Sequence, residues 1–326
     1  MRDQKHKSLV FNILMTVLLP VIIYVLFRVI TGGMFGGMTA LRTIARQSII
    51  PVLIAMAMSF DLMQGNLDYS AGSVVYASAI IGGNLGGRFG TAGIIAASLV
   101  VAVVLCSITG ILYTTLKIPV QILTIGMLMV YEAMTRLLFK TGAVVSLKST
   151  VVAQPPTCFV IFLFIFAFYF IMYQMSIFGH NVRAIGSNAA VASSTGVNIS
   201  RTRFLTYIIK GILLGCAGFM YMFSNVKLSC PDTMTSFGIV FEALMGIFIS
   251  NFFARYCGKP FGIVVGVFSM KMLTTALVAC GMAATVRSLI SGIFLLVLLC
   301  VSSNQARVIE WAARKRLGKQ IAEGMK

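Results

Sequence analysis

Six ionisable side chains lie inside long apolar stretches of the sequence, where a charge is costly and therefore points to a function. They are Asp61, Asp68, Glu132, Lys210, Glu242 and Lys271. Within membrane segments such residues bind ions or solutes, relay protons or form buried ion pairs. Their spacing along the chain indicates which of them have partners.

Glu242 and Lys271 are predicted to face each other across a helical hairpin. The turn of this hairpin centres near Cys257, and the two residues lie at nearly equal distances on either side of it. At 1.5 Å per residue, both stand roughly 20 Å from the turn and can pair. Such a pair either fixes the register of the two helices or lines a polar pathway, and the sequence leaves both interpretations open.

Two other charged residues have simpler interpretations. Glu132 and Arg136 are four positions apart, which is the spacing of an ion pair within one helix. Lys210 lies within two helical turns of Arg203 and is expected to extend to the inner membrane surface. The sequence therefore favours a structural role for Glu132 and assigns Lys210 no role in transport.

The segment from Gly65 to Ser73 interrupts two apolar runs with small and polar residues, among them Asn66, Asp68 and Ser70. Irregular backbone at membrane depth occurs where it is buried in protein or lines a water-filled cavity. Broken helices of this kind form substrate sites in transporters. The alternative is a tight cytoplasmic turn in which Asp68 caps the following helix.

The composition predicts the elements that position these residues. Of the 326 residues, 59% are hydrophobic and only 10% are charged, which is far from the composition of a soluble domain. A span needs about 20 apolar residues, so the sequence predicts an all-α polytopic membrane protein with about ten transmembrane helices. The apolar runs are 9–30, 47–63, 67–86, 92–116, 120–139, 157–176, 204–224, 237–254, 261–281 and 286–302.

The distribution of basic residues predicts the orientation of the chain. The net charge is +18, and Lys and Arg are more frequent in the segments that would be cytoplasmic if both termini were inside. The prediction is a cytoplasmic N-terminus (1–8), a transmembrane domain (9–302) with a long cytoplasmic polar loop (178–203), and a basic cytoplasmic tail (303–326). This tail reads either as a helix on the anionic inner surface or as a solvated segment.

The sequence also argues against several other classes of protein. The basic residues are scattered over many short loops, which excludes a nucleic-acid-binding domain. No phosphate-binding G-x-x-x-x-G-K-[ST] motif, zinc-protease H-E-x-x-H motif or G-x-S-x-G nucleophile motif occurs. We therefore predict no catalytic residue, metal site or cofactor in this chain, and no disulfide framework for its seven cysteines.

Three blocks of the sequence resemble the permease subunit of sugar-type (ribose-like) ABC importers, which is related to permeases for branched-chain amino acids. Gly65 to Ser73 is similar to the family's G-G-I-D-L-S-V-G-S signature. A second block combines L-K-I-P (116–119) with L-T-I-G (123–126). The third begins with A-I-G-S-N (184–188) and continues through G-V (196–197) to G-C-A-G (215–218).

The resemblance implies a function, a set of partners and a location. The chain would form the translocation pathway for a sugar or a nucleoside in a bacterial cell membrane, and a separate ATP-binding cassette subunit would hydrolyse ATP. A second permease chain and an extracellular or periplasmic solute-binding protein would complete the importer. The helix break and the charged residues within the apolar runs, and not the resemblance alone, nominate the pathway residues as Asn66, Asp68, Ser70, Ser73, Glu242 and Lys271.

The resemblance also gives the polar loop 178–203 a role, namely docking of the ATPase through a coupling helix at about 188–196. The residues assigned to this coupling loop are Ala184, Gly186, Asn188, Ala192 and Gly196.

The sequence departs from the family pattern at Asn66, Tyr69 and Ala71 within the signature segment and at two further places. The turn 254–258 lacks the usual G-G-R-G, and Glu242 stands where family members carry small apolar residues, which points to an unusual solute. The alternative function is an autonomous secondary transporter or channel that uses Asp68, Glu242 and Lys271 for ion coupling.

Overall fold

The computed structural model describes residues 2–33, 35–116, 118–294, 296, 297 and 300, and most of these residues are helical. The α-helices are α1 (Arg2–Ile30), α2 (Met38–Met63), α3 (Ala71–Gly86), α4 (Gly90–Leu116), α5 (Val120–Leu138), α6 (Thr157–Phe170), α7 (Ile177–Ser187), α8 (Ala189–Ser194), α9 (Ile199–Asn225), α10 (Phe237–Cys257), α11 (Lys259–Ala279) and α12 (Ala284–Phe294). Two short strands, β1 (Ala143–Val144) and β2 (Lys227–Leu228), pair antiparallel.

Proline and glycine set several of the helix boundaries. Pro119 immediately precedes α5, and Pro260 occupies the first turn of α11, where its missing N–H costs no helical hydrogen bond. Gly258 separates α10 from α11 with φ of +78°, a conformation that favours glycine. The predicted hairpin turn near Cys257 is therefore confirmed.

In the part of the chain that the structure describes, each of the ten predicted apolar runs overlaps an α-helix, and the α-helices α7 and α8 lie outside these runs. Six stretches of the described residues are long and apolar enough to cross a membrane, and three shorter apolar helices accompany them. The six are Met38–Met63, Ala71–Leu116, Val120–Leu138, Thr157–Met175, Ile199–Asn225 and Lys259–Ala279; the shorter three are Met15–Ile30, Phe237–Asn251 and Ala284–Phe294.

The longest of these stretches, Ala71–Leu116, is two helices that fold back on each other. A 3-10 turn joins α3 to α4, and a Cβ added to Gly86 would lie 2.4 Å from the carbonyl oxygen of Gly93. The recurring small residues serve the same purpose between α9 and α4, because a Cβ on Gly211 would lie 2.8 Å from the Cα of Val103. Glycine thus permits close helix contact at both seams.

The helices pack around two hydrophobic cores that share α2, α10 and α11. The first core contains residues of α2 to α7 and α9 to α11, and the second contains residues of α1, α2, α10 and α11. Ile44 near the start of α2 belongs to the second core, whereas the buried residues from Ile49 onward belong to the first. Pro51 lies inside α2, close to this division.

The structure moves two of the predicted boundaries. α1 begins at Arg2, so the helix includes residues that were assigned to an N-terminal segment before the first run. α3 begins at Ala71 and not at residue 67, because the polar segment before it is not helical. The predicted basic tail, 303–326, lies outside the described residues.

Candidate functional site

The polar segment between α2 and α3 is a helix break built around the carboxylate of Asp68. Gly65 has φ of +77°, which ends α2 with a left-handed residue. The Asp68 carboxylate accepts hydrogen bonds from the backbone N–H of Ser70 at 2.7 Å and from its hydroxyl at 2.6 Å. The hydroxyl of Ser73 donates to the carbonyl of Ser70 at 2.8 Å. These bonds hold the chain in a defined shape between the two helices.

Lys210 of α9 binds the break from the other side. Its ammonium group donates to Asp61 at 2.8 Å and also contacts Asp68. All three side chains are buried, and the lysine has no exposed surface. The expectation that Lys210 reaches the membrane surface is therefore wrong, because the two carboxylates stabilise its charge inside the bundle.

Neutral hydrogen bonds attach the break to α9 a second time and to two further helices. The amide of Gln64 donates to the hydroxyl of Thr206 on α9 at 2.9 Å. The amide of Asn66 donates to Tyr113 on α4 at 3.3 Å, and the backbone N–H of Tyr69 donates to a threonine of α5 at 3.1 Å. The break is therefore packed within the bundle. Asp68 binds Lys210 and the residue that precedes α3, Ser70, whereas the alternative of a tight turn had Asp68 cap this helix.

Glu132 and Arg136 do not form the predicted ion pair. Glu132 is buried and accepts hydrogen bonds from the backbone N–H groups of Met234 and Ser236 and from the Ser236 hydroxyl, at 2.8, 3.0 and 2.5 Å. Arg136 instead donates to Asp232 at 2.6 Å, and this hydrogen bond lowers the pKa of Asp232. Both residues of α5 thus anchor the loop that leads into α10.

Glu242 and Lys271 do pair, and they do so at the wall of a cavity. The ammonium group of Lys271 donates to the Glu242 carboxylate at 2.9 Å, and each side chain keeps about a fifth of its surface exposed. The cavity has a volume of about 780 Å³. The two interpretations left open by the sequence are therefore compatible, since one pair joins α10 to α11 and also lines a polar space.

The cavity is formed by one face of each of three helices. The lining positions on each helix are spaced i, i+3, i+4 and i+7, which is the spacing of a single helical face. They are Gly238, Phe241, Glu242 and Met245 on α10; Lys271, Thr274, Thr275 and Val278 on α11; and Ala284, Arg287, Ser288 and Ser291 on α12. Gln47 of α2 and Phe237 complete the wall.

The predicted pathway residues therefore fall into two places. Glu242 and Lys271 line the cavity, whereas Asn66, Asp68, Ser70 and Ser73 belong to the helix break and are absent from its lining. The two places are joined by one aromatic contact, because the ring of Tyr69 in the break lies 5.6 Å from the ring of Phe237 in the cavity wall.

Among the lining residues, the sequence assigned a role only to Glu242 and Lys271, and it did not identify the polar residues Gln47 and Arg287. Arg287 shares a helical face with Ser288 and Ser291, while Leu289 and Ile293 on other faces of α12 are exposed. A polar stripe at helical spacing on an otherwise apolar run is the signal that could have identified this wall.

The loop assigned to ATPase docking contains a short helix at the predicted place. Asn188 precedes α8, and its side-chain oxygen accepts from the N–H groups of Ala190 and Val191 at 3.0 and 3.2 Å. Ala192 on this helix is buried, and Gly196 ends the segment with φ of +89°. The side-chain cap and the left-handed glycine explain why a helix of six residues forms here.

The preceding helix, α7, touches the end of α2 directly. A Cβ added to Gly186 would lie 1.8 Å from the carbonyl oxygen of Met63. Only glycine allows this approach without a shift of one helix. Ala184 lies half-buried on the same helix. The predicted docking loop is thus in contact with the last residue of α2 before the helix break.

One family model matches most of this chain. It is described as the permease component of branched-chain amino acid transport systems, and it matches residues 40–299. The matched range contains the helix break, the cavity residues and the α7–α8 loop.

Several curated proteins are similar along most of their length. The autoinducer 2 import system permease protein LsrC of Enterobacter sp. (strain 638) is 26% identical over 81% of this chain and 79% of its own. The LsrC protein of Klebsiella pneumoniae subsp. pneumoniae is 25% identical over 82% of this chain and 79% of its own. The LsrC protein of Yersinia pestis (strain Pestoides F) is 24% identical over 82% of this chain and 78% of its own. No solved structure gives a significant match.

Proposed function

The chain belongs to the family of permease components of branched-chain amino acid transport systems, and from this we propose that it is the membrane subunit of an ABC importer for a sugar or sugar-like solute. Two observations support this solute class. Similar proteins are permeases of autoinducer 2 import systems, and the sequence blocks resemble those of ribose-type importers. A nucleoside is a further solute of the same chemical kind.

The proposal includes a topology and a location. Ten helices would cross a bacterial cytoplasmic membrane with both termini inside, as the basic residues favour. Residues 1–8 would be cytoplasmic, 9–302 would form the transmembrane domain, and 303–326 would be a basic cytoplasmic tail. The ten helices at the predicted apolar runs support this count.

The observation that carries the assignment of the pathway is the three-helix cavity. Helices that lie in lipid expose apolar residues, and polar faces within them turn toward protein or water. Here α10, α11 and α12 turn their lining faces, which include Glu242, Lys271 and Arg287, toward one space. We assign this space to the outer part of the translocation pathway, where a solute-binding protein would deliver the solute.

The helix break would act as the part of the pathway that changes shape. Asp68, Ser70 and Ser73 are held by hydrogen bonds and by Lys210, and Tyr69 contacts the cavity wall. A shift of the break would therefore move the cavity wall. Alternating access needs two packings whose balance a partner can bias.

The partner that biases this balance would be an ATP-binding cassette subunit on the α7–α8 loop. Ala184, Gly186, Asn188, Ala192 and Gly196 would form its docking surface. The contact of Gly186 with the end of α2 gives a direct route from this surface to the break. A second permease chain, identical or related, would complete the membrane unit.

Reconstitution in lipid vesicles tests the proposed function. The chain is combined with its ATPase, its binding protein and any second permease, and uptake of labelled ribose or autoinducer 2 is measured. We expect uptake only when ATP is supplied on the side of the membrane where the ATPase is bound. Uptake driven by an ion gradient through this chain alone would overturn the proposal in favour of a secondary transporter.

A further inference from the structure

We propose that the cavity accepts an acidic polyhydroxylated solute, such as a sugar phosphate or a sugar acid, and that Arg287 binds its anionic group. The inference rests on the proposed function, because it takes the cavity as part of the translocation pathway. It adds the charge of the solute and the residue that recognises it.

The charge of the cavity wall is the first argument. Its lining contains two cations, Lys271 and Arg287, and one anion, Glu242. The Glu242 carboxylate is bound by Lys271 at 2.9 Å. One positive charge is therefore left over at the wall, and it belongs to Arg287.

No described carboxylate is left to neutralise Arg287. Those whose side chains the structure describes are engaged elsewhere: Asp61 and Asp68 with Lys210, Glu132 with the loop before α10, Asp232 with Arg136, and Glu242 with Lys271. Within the described part of the chain, the Nε of Arg287 is shielded from solvent and has no hydrogen-bond partner.

An anionic solute would neutralise the excess positive charge of the wall and would also accept a hydrogen bond from Arg287. A guanidinium group offers several N–H donors in a planar fork that matches carboxylate and phosphate oxygens. In a partly enclosed site a charge-assisted hydrogen bond is about twice as strong as a neutral one. Arg287 therefore favours a solute with an oxyanion over a neutral sugar.

The rest of the wall fits hydroxyl groups and the apolar face of a sugar ring. Thr274 and Thr275 donate their own hydroxyl protons to the backbone of α11, so their oxygens remain acceptors for a solute. Phe237 and Phe241 stand side by side with ring centroids 6.1 Å apart. A volume of about 780 Å³ is within the usual range for small-molecule sites.

Binding to the purified full chain in lipid nanodiscs tests the inference. The probes are D-ribose, D-ribose 5-phosphate, D-ribonate and inorganic phosphate, and affinity is measured by isothermal titration. We expect at least one of the two acidic sugars to bind tenfold or more tightly than ribose, and the difference between them identifies the oxyanion. We also expect inorganic phosphate to bind more weakly than the preferred acidic sugar.

Substitutions of Arg287 test whether this residue causes the preference for the acidic sugar. Arg287→Gln should remove the preference for the acidic sugar, and Arg287→Lys should keep most of it, because the charge remains. Arg88→Gln, in the turn between α3 and α4, is the matched control and should keep it entirely. A preference that survives Arg287→Gln would overturn the inference, as would ribose binding equally well or the absence of binding by both acidic sugars.

The failure of this inference is distinct from failure of the proposed function. If the complete importer takes up neutral ribose with ATP and Arg287→Gln changes nothing, the function stands and the charge assignment is wrong. If uptake proceeds without ATP, the function is wrong whatever the solute's charge.

Discussion

Lys210 is the residue whose environment differs most from what its sequence position suggests. Its ammonium group is fully buried between Asp61 and Asp68. Removing one partner from a buried ion pair commonly costs about 3–5 kcal/mol, because the remaining charge is left without compensation. The cluster has two negative charges and one positive charge, so its members are not equivalent.

Because the cluster has one more negative than positive charge, the loss of its lysine and the loss of one carboxylate should affect stability differently. We expect Lys210→Met to lower the apparent melting temperature in detergent more than Asp61→Asn does. The first change leaves two adjacent buried carboxylates, whereas the second leaves a balanced pair of Lys210 and Asp68. Lys227→Met, at an exposed position, should have little effect. Equal losses from the two buried changes would contradict the cluster as described.

The Glu242–Lys271 pair gives a second prediction at the same scale. Glu242→Gln alone should destabilise the protein more than Glu242→Gln combined with Lys271→Gln, since the single change leaves a charge without its partner. For contacting residues the coupling is typically about 0.5–3 kcal/mol. A double-mutant cycle on thermal unfolding measures it, and additive losses would reject the pair.

Charged residues could be identified from the sequence, but their partners only in part. Glu242 and Lys271 were predictable because one short turn fixes their relative depth. Glu132 was not, because the spacing to Arg136 permits an ion pair but does not exclude better partners. A buried carboxylate is stabilised more by several N–H donors, and the loop at Met234 and Ser236 supplies them.

At the scale of secondary structure, the contact between α7 and the end of α2 is a direct link between the docking loop and the helix that leads into the break. We expect Gly186→Ala to disturb it, because the added Cβ would lie 1.8 Å from the Met63 carbonyl. Overpacking of this kind typically costs about 1–3 kcal/mol. Gly126→Ala on α5, where nothing lies within 4 Å, is the matched control.

The effect of Gly186→Ala is measured in two ways, as protein stability and as coupling to the ATPase. Gly186→Ala should lower the melting temperature and also reduce solute-stimulated ATP hydrolysis in the complete importer. A variant that keeps both values would show that the contact is not needed for coupling. Loss of stability without loss of coupling would assign Gly186 to packing alone.

The α8 segment gives the corresponding prediction for docking. Bulky residues at Asn188 or Gly196 should weaken binding of the ATPase, because they remove the helix cap and the left-handed end of the segment. Insertion in the membrane should be unaffected, since this segment lies outside the predicted apolar runs. Pull-down of the ATPase measures the effect, and unchanged recovery would contradict the docking assignment.

Helices were more predictable from the sequence than the way in which they meet. An apolar run of span length dictates a helix, since only internal hydrogen bonds satisfy the backbone in lipid. The break at Asn66 to Ser70 was recognisable as polar, but its position depends on Lys210, Thr206 and Tyr113, which are distant in sequence. The lining face of α12 could not be identified from the sequence, because its polar residues point to a cavity only once α12 is known to pack beside Glu242 and Lys271.

At the scale of the whole molecule, the asymmetry of basic residues makes the topology testable. In a chain whose seven cysteines are replaced, Ser229→Cys should react with a membrane-impermeant maleimide from the outside of intact cells. Ser187→Cys should react only after the cells are permeabilised. Both positions are exposed in the structure. Labelling of both from outside would contradict the proposed orientation.

The sharing of α2 between the two cores has a mechanical consequence. Its first half packs in one core and its second half in the other, and Pro51, which cannot donate a backbone hydrogen bond, lies close to the boundary. Pro51 has no N–H to donate to the carbonyl of Gln47, so α2 bends more easily at this point than elsewhere. A bend there would turn Gln47, which lies in the cavity wall, relative to the Met63 end of the helix.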